Sequence, residues 1–239
     1  MTLEQVYEWL NNNQSEQCLL CLSRGHSFSH GICAACHRDL PWLQQHCRQC
    51  AIPLALEDAL CGQCQQHPPA FSQVVVPFTY RFPLDSLIPA FKHHHQLTFG
   101  RLLSRLLIDH VTHHYEERQQ ALPDALVAMP LHPRRQAERG FNQAQELARP
   151  MTKALGCPIL GDALARTRAT PAQQGLSASV RKRSVQDAFA CPRPEQVADK
   201  HLALIDDVLT TGATADAASR TLLAAGAASV SIWCIARTP

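Results

Sequence analysis

Eight cysteines in the first third of the chain form four C-x-x-C pairs, which read CLLC, CAAC, CRQC and CGQC. The segments between successive pairs contain 11, 10 and 10 residues. Each pair folds into a tight turn that brings two sulfur atoms to one side, and two such turns supply the four thiolates of a tetrahedral Zn²⁺ site. The spacing therefore predicts two structural zinc sites with the ligands Cys18, Cys21, Cys33, Cys36, Cys47, Cys50, Cys61 and Cys64.

The spacing also bears on which pairs share a metal ion. Sequential pairing, in which the first two pairs form one site and the last two the other, predicts two consecutive zinc ribbons, but interleaved pairing stays open from spacing alone. Haem attachment at CAACH would leave three pairs unexplained, a thioredoxin-like pair needs a flanking strand and helix, and iron–sulfur clusters rarely use evenly spaced double pairs. The isolated Cys157, Cys191 and Cys234 are expected to be buried thiols.

Composition limits the classes of function. The 239 residues, 46% of them hydrophobic, suffice for one main domain and a small accessory module. A formal net charge of +2 is too balanced for a general polyanion binder or a membrane-surface protein. The start, MTLEQVYEWLNNNQ, lacks the pattern of a signal peptide, and no apolar run approaches the ~18 residues of a membrane helix. We therefore expect a soluble, cytoplasmic protein without membrane contact, in which disulfides are absent.

Charge also separates the cysteine-rich segment from typical nucleic-acid binders. Residues 1–70 contain three arginines, no lysine and six acids, and each four-thiolate zinc site adds a charge of about −2. Binding to a phosphate backbone depends on cations that displace counterions. We therefore do not expect this segment to bind DNA or RNA nonspecifically. Single-stranded DNA as a partner is open but not favoured, and a structural role or docking to a protein partner is the preferred interpretation.

After residue 70 the cysteine pairs end and short apolar runs alternate with helical patterns. Strands are predicted at 74–80, 126–129, 202–205 and 230–236, and helices at 99–114, 141–156 and 215–226, with Gly156 and Gly226 at helix ends. Such alternation predicts an α/β fold, a parallel sheet with helices on both faces. We expect two domains, a double zinc ribbon at 1–70 and the α/β domain at 71–239. The histidines near residues 93–95 and 110–114 are expected to be solvated rather than metal ligands.

The segment LALIDDVLTTGAT places two acids at the end of a predicted strand, directly before a hydroxyl-rich loop. Ligands of open parallel sheets bind where strands end and helices begin. Backbone amides and hydroxyls of Thr210, Thr211, Gly212, Ala213 and Thr214 can hold a phosphate at a helix N-terminus. Asp206 and Asp207 can accept hydrogen bonds from vicinal hydroxyls and organise a hydrated divalent cation. Together the two halves predict a site for a ribose 5-phosphate, whereas a capped turn alone leaves the paired acids unexplained.

This same segment resembles the signature of type I phosphoribosyltransferases, which bind phosphoribosyl pyrophosphate (PRPP) with Mg²⁺. The segments 128–148, with RGFNQ at 139–143, and 170–189 are similar to those of the ComF/GntX-like proteins, which join cysteine knuckles to such a domain. The resemblance covers nearly the whole chain. It implies a type I phosphoribosyltransferase-like sheet, Asp206 and Asp207 at the reacting sugar, and a pyrophosphate loop, PLHPRR, that supplies Arg134 and Arg135.

The resemblance also implies roles for residues outside these two loops. Arg139 and Asn142 would order the pyrophosphate loop or reach the ligand, and Phe141 would pack. The segment 166–183 has five cations and no acid and would correspond to the mobile loop that closes over PRPP, with Arg181, Lys182 and Arg183 near the leaving group. A solvated basic loop is the competing interpretation. Thr210 stands where the purine-salvage branch has an aspartate base, which disfavours attack by a purine.

The expected activity is therefore transfer of a phosphoribosyl group from PRPP to an unidentified acceptor with release of pyrophosphate. Two other classes remain open. One is a protein that binds PRPP or a nucleotide without chemistry and relays its occupancy to a partner. The other is a DNA-handling protein, because the resemblance implies links to DNA uptake or utilisation.

Overall fold

The computed structural model describes residues 17–24, 28–56, 59–93, 96–167 and 188–239. The chain forms two compact units, Met1–Leu40 and Pro41–Pro239. Within the described residues, none of the helices is both long and apolar enough to span a membrane. The boundary between the two units falls between the first and the second predicted group of four cysteines. The second group therefore lies in the same unit as the residues that follow it. The expected domain division at residue 70 stays a prediction.

The first unit is built on a short antiparallel hairpin, β1 (Phe28–Ser29) and β2 (Ile32–Cys33), followed by helix α1 (Ala34–Arg38). The turn between the strands needs Gly31, whose φ of 91° is unfavourable for residues with a Cβ. Cys33 caps α1, since its sulfur accepts a hydrogen bond from the Cys36 amide. The short α1 therefore begins directly on a C-x-x-C pair.

The second unit begins with two further C-x-x-C pairs. Cys61 of the second pair caps the short helix α2 (Gly62–Gln66), which contains Cys64. It continues through strands β3 (Val74–Val75) and β4 (Phe78–Thr79) into helices α3 (Leu84–His93) and α4 (Leu97–Glu117). The predicted single strand at 74–80 is thus two short strands. Pro77 lies between them and has no N–H group to donate to a ladder, which explains the interruption.

The remaining elements complete an α/β sheet. Strand β5 (Ala125–Ala128) is followed by α5 (Pro133–Arg139) and α6 (Gln143–Leu155), and the antiparallel hairpin β6 (Ala165–Arg166) and β7 (Phe189–Ala190) precedes α7 (Pro194–Val197). Strand β8 (His201–Leu209), helix α8 (Ala213–Ala224) and strand β9 (Ser229–Arg237) follow. The sheet order is β3–β9–β8–β5, β4 also pairs with β9, and every one of these pairings is parallel.

Side chains along β9 alternate between the two faces of the sheet, and each face packs against helices. Ile232 packs in the buried cluster that includes Leu222 of α8. Its neighbour Trp233 points to the other face, where its ring meets Tyr115 of α4 with centroids 5.7 Å apart. The predicted parallel α/β sheet flanked by helices is confirmed. The carboxyl end of β8, the central strand, is therefore placed between two packed helical layers.

Candidate functional site

The two acids lie inside β8 near its end rather than just beyond it, because the ladder with β9 continues to Leu209. Strand β5 pairs with β8 only as far as Ile205, so one side of β8 is released from the sheet at the acid pair. There the Asp206 carboxylate accepts the Asp207 amide at 2.8 Å, and the Asp207 carboxylate accepts the Val208 amide at 2.9 Å. Both acids are therefore held against the strand end by local hydrogen bonds.

A lysine that sequence patterns did not single out forms an ion pair with one of these acids. Lys92, in the last turn of α3, forms an ion pair with the buried carboxylate of Asp207. Burial raises the pKa of Asp206 to about 6, although the positive charges of Lys92 and Arg166 oppose that shift. Burial lowers the pKa of Lys92 to about 8, while Asp206 opposes this and Arg139 and Arg135 add to it. The acid pair thus lies close to positively charged side chains.

The loop after β8 leads directly into the N-terminus of α8. Gly212 precedes α8 with a left-handed φ of 79°, and its carbonyl accepts the Asp216 amide at 2.8 Å. Thr211 Oγ1 lies 3.4 Å from the Ala213 amide. Helix α8 begins at Ala213, two residues earlier than predicted, so the helix N-terminus follows the acid pair closely. Asp216 of the first turn is engaged elsewhere, with the Ala70 amide and Arg220.

Positive side chains line a cavity of about 300 Å³ that shares Lys92 with the acid pair. Its walls are Lys92, His93, Arg135, Glu138 and Arg139. Arg139 is 8% exposed, and its guanidinium donates to the Gln143 side chain. Burial, with a smaller contribution from Arg135, lowers the pKa of Arg139. With three cations and one acid, the cavity favours an anionic group.

The two arginines expected from the PLHPRR loop differ in position. Arg135 lines the cavity, whereas Arg134 is exposed and pairs with Glu138 one helical turn away at 3.0 Å. Asn142 orders this region, because its side chain caps α6 through the Ala144 amide at 2.9 Å and donates to the Met129 carbonyl at 3.1 Å. Phe141 packs against Phe91 with ring centroids 5.6 Å apart, as expected. Asn142 thus links the residue just before the PLHPRR loop to the N-terminus of α6.

The hairpin β6–β7 contributes a further cation. Arg166 lies over the ring of Phe189, 5.6 Å from its centroid, and close enough to Asp206 for its charge to lower the pKa of that acid. The predicted mobile-loop residues Arg181, Lys182 and Arg183 lie outside the described residues. Of the basic segment 166–183, the structure describes only Arg166 and Thr167.

The eight paired cysteines form two groups of four. Cys18, Cys21, Cys33 and Cys36 compose one and Cys47, Cys50, Cys61 and Cys64 the other, with the four sulfur atoms of each group within 4.8 Å of one another. The Cys21–Cys33 and Cys50–Cys61 sulfur atoms are 3.8 and 3.6 Å apart, close to the ~3.8 Å that tetrahedral Zn–S bonds of about 2.3 Å require. Both groups are zinc-binding sites, and sequential pairing is confirmed.

The two zinc sites share a hydrogen-bond pattern that supports thiolates. The Cys33 amide donates to Cys18 Sγ at 3.3 Å, and the Cys61 amide donates to Cys47 Sγ at 3.3 Å. Amide donors to sulfur stabilise the negative thiolate that a metal needs. The repeated C-x-x-C spacing therefore corresponds to the same local geometry at both sites, as predicted.

The histidine prediction needs correction. His113 is exposed and pairs with Glu117, but burial lowers the pKa of both His110 and His114 to about 4. His114 also contacts Gln73 at 3.3 Å. Two of the three described histidines of this helix are therefore partly buried in neutral form rather than solvated. His94 and His95 lie outside the described residues.

A parallel α/β unit with an acid pair before a helix N-terminal loop, preceded by two four-cysteine zinc sites, defines a distinct class of protein. The family model described as "Double zinc ribbon domain" matches residues 14–65. The "DNA utilization protein YhgH" of Escherichia coli (strain K12) is 39% identical over 224 residues, 92% of this chain and 96% of that protein. The "Competence protein F" of Haemophilus influenzae is 32% identical over 222 residues, with the same coverage.

This chain therefore belongs to the ComF-like family, whose members carry an N-terminal double zinc ribbon. Among solved structures, a purine phosphoribosyltransferase from Pyrococcus horikoshii is similar with a TM-score of 0.33 and 16% identity, over 56% of this chain and 73% of that one.

Proposed function

We propose that this protein binds PRPP with Mg²⁺ at the carboxyl end of β8 and transfers its phosphoribosyl group to an acceptor. One observation carries the proposal: three features that match the three parts of PRPP are connected at this strand end, because the loop follows the acid pair in the chain and Lys92 belongs both to the ion pair and to the cavity wall. They are the loop at 210–214, the acid pair, and the cavity lined by cations.

Each feature suits one part of the ligand. The loop offers amides and a helix N-terminus to the 5-phosphate. The carboxylates of Asp206 and Asp207 are acceptors for the two ribose hydroxyls. Lys92, Arg135 and Arg139 would face the pyrophosphate, whose charge they can compensate as Arg pairs with phosphate oxygens. The cavity of about 300 Å³ is large enough for such a small charged group.

The oxygen donors of the acid pair also suit Mg²⁺, which prefers carboxylate and phosphate oxygens. Bound with PRPP, the ion would neutralise charge on the departing pyrophosphate. Side chains of the described residues would supply the other interactions with the sugar and the leaving group. Asp206 and Asp207 would hold the ring, and Lys92 and Arg139 would stabilise the leaving group.

In the proposed reaction the acceptor's lone pair forms a bond to C1 while the bond from C1 to the pyrophosphate oxygen breaks. Pyrophosphate leaves with the bonding electrons, and the acceptor's proton, if it has one, passes to solvent. Thr210 is exposed at the loop and cannot remove that proton at neutral pH. An acceptor that needs no base at this position, such as an amine in its free form, is favoured over a purine.

Calorimetry on the zinc-loaded protein tests the binding step. We expect Mg-PRPP to bind the native protein, and Asp206→Asn to weaken that binding at least tenfold, because the substitution keeps the size of the side chain but removes its charge. Asp162→Asn is the matched control, since Asp162 is exposed and pairs with Arg193. Absence of PRPP binding by the unmodified protein would contradict the proposal.

A PRPP sensor without chemistry is the second candidate, and the threonine in place of a base favours it. Measurement of pyrophosphate release with a panel of nucleobases and amines separates the two, because a sensor binds PRPP without releasing pyrophosphate. The names of the relatives, which refer to DNA utilization and competence, add a DNA-handling role as a further candidate. A gel-shift titration with single-stranded DNA across a salt series tests it, since phosphate contacts give a salt-dependent complex.

A further inference from the structure

Arg237, the last residue of β9, joins the second zinc site to the loop after β8. Its side chain is 5% exposed. The guanidinium Nε donates to the Cys50 carbonyl at 2.9 Å, and Nη1 donates to the Leu209 carbonyl at 3.3 Å and to the Thr210 carbonyl. Cys50 is a ligand of the second zinc site, while Leu209 and Thr210 begin the proposed phosphate loop. One buried cation therefore contacts both elements.

These contacts determine how the loop presents its amides. In a trans peptide the carbonyl and the following N–H group point in opposite directions within one plane. Because Arg237 donates to the Thr210 carbonyl and shares the Leu209 carbonyl with the Thr238 amide, which lies at 3.0 Å, the amides of Thr210 and Thr211 are directed away from the guanidinium. That is the orientation in which successive amides can meet an anion on the outer side of the loop.

A second connection reaches the same region from another residue of the C-x-x-C turn. The side-chain amide of Gln49 donates to the carbonyls of Pro69 and Phe71 at 3.3 and 3.2 Å. The Phe71 ring lies beneath Gly212, with its Cζ 3.8 Å from the place where a Cβ on that glycine would stand. Between them, the Ala70 amide donates to Asp216 in the first turn of α8 at 2.7 Å. The turn that carries Cys47 and Cys50 thus supports both ends of the loop.

We propose that Arg237 is a positioning residue through which the second zinc site fixes the conformation of the loop at 210–214. The proposal rests on the proposed function only where it calls that loop a phosphate site. A four-thiolate zinc site carries a net charge of about −2, which favours a guanidinium beside it. The planar fork of arginine can bridge carbonyls on two segments, which the single ammonium of lysine cannot do in the same geometry.

Arg237→Gln tests the link, with Arg193→Gln as the control because Arg193 is exposed and pairs with the exposed Asp162. We expect Arg237→Gln to keep two zinc ions per chain by mass spectrometry. Hydrogen exchange in the peptide that covers 208–215 should become at least tenfold faster, and Mg-PRPP should bind at least tenfold more weakly. Arg237→Lys should give the same direction of change, and Arg193→Gln should change none of the three quantities.

Metal removal gives an independent arm. Cys50→Ser should lose the second zinc ion and accelerate exchange at 208–215, whereas Cys21→Ser should lose the first zinc ion and leave that exchange unchanged. Unaltered exchange at 208–215 in both Arg237→Gln and Cys50→Ser overturns the link, whether or not PRPP binds. Faster exchange in a protein that never binds PRPP keeps the link and rejects the proposed function. If Arg237→Gln does not fold, the two cysteine variants decide.

Discussion

Breaking the ion pair between Lys92 and Asp207 should lower the stability of the protein substantially. The side chains of Lys92 and Asp207 are 21% and 6% exposed, so neither charge is well solvated. Removal of one partner from a buried pair typically costs 3–5 kcal/mol, because the other charge is left uncompensated. Since Lys92 retains about a fifth of its exposure, we expect the free energy of unfolding to fall by about 2–3 kcal/mol in Asp207→Asn.

The double variant Lys92→Met, Asp207→Asn separates the pair from other effects of each substitution. Once both charges are gone, no uncompensated charge is buried, so the double variant should lose less stability than the sum of the single variants. We expect a coupling energy of about 2 kcal/mol, above the ~0.5 kcal/mol within which independent sites add. The exposed pair of Asp162 and Arg193 serves as the control, and its coupling should be below about 1 kcal/mol.

Urea unfolding of the zinc-loaded protein measures these energies. Trp233 is fully buried against Tyr115, and its fluorescence reports on the unit that contains the ion pair. Trp9→Phe in the background of every variant limits the tryptophan signal to Trp42 and Trp233. Additive losses in the double variant would refute the assignment of Lys92 as the counter-ion of Asp207.

Two further predictions concern the packing around the site. Asn142→Ala should lower the free energy of unfolding by about 2 kcal/mol, because it removes the cap of α6 and leaves the Met129 carbonyl without its donor, whereas Asn142→Asp should keep the cap and lose less in the same urea titration. His110 and His114 have pKa values lowered to about 4, chiefly by burial, so the unfolded chain binds protons first as the pH falls below 6.5. Stability should then fall with pH between 6.5 and 4 by about 1 kcal/mol per unit for each histidine, and glutamine at both positions should flatten that slope more than His113→Gln does.

The zinc sites, the parallel strands and the acid-and-loop segment could be predicted because each depends on local pattern. The C-x-x-C spacing fixes where sulfur atoms lie within one turn, and apolar runs between helical patterns leave few arrangements besides a parallel sheet. Strand ends were less predictable. The ladder of β8 continues through Asp206 and Asp207 because β9 extends beside it, and a sequence pattern of alternating polarity cannot reveal that.

Contacts between distant segments explain what the sequence did not reveal. Lys92 looked like one cation before a run of histidines, and its role depends on α3 ending beside β8. Arg237 contacts Cys50 across 187 residues, and no motif connects these two positions. A charged residue at the end of an apolar strand, as Arg237 is in VSIWCIAR, was the available signal, because a buried arginine requires several acceptors.

The placement of the 5-phosphate of PRPP is the central claim, and a crystal structure of the zinc-loaded protein grown with Mg-PRPP tests it most directly. The account predicts the 5-phosphate at the amides of residues 210–214, the ribose hydroxyls at Asp206 and Asp207, and the pyrophosphate beside Arg135 and Arg139. Density for the 5-phosphate at any other part of the chain, with the loop amides unoccupied, would contradict it.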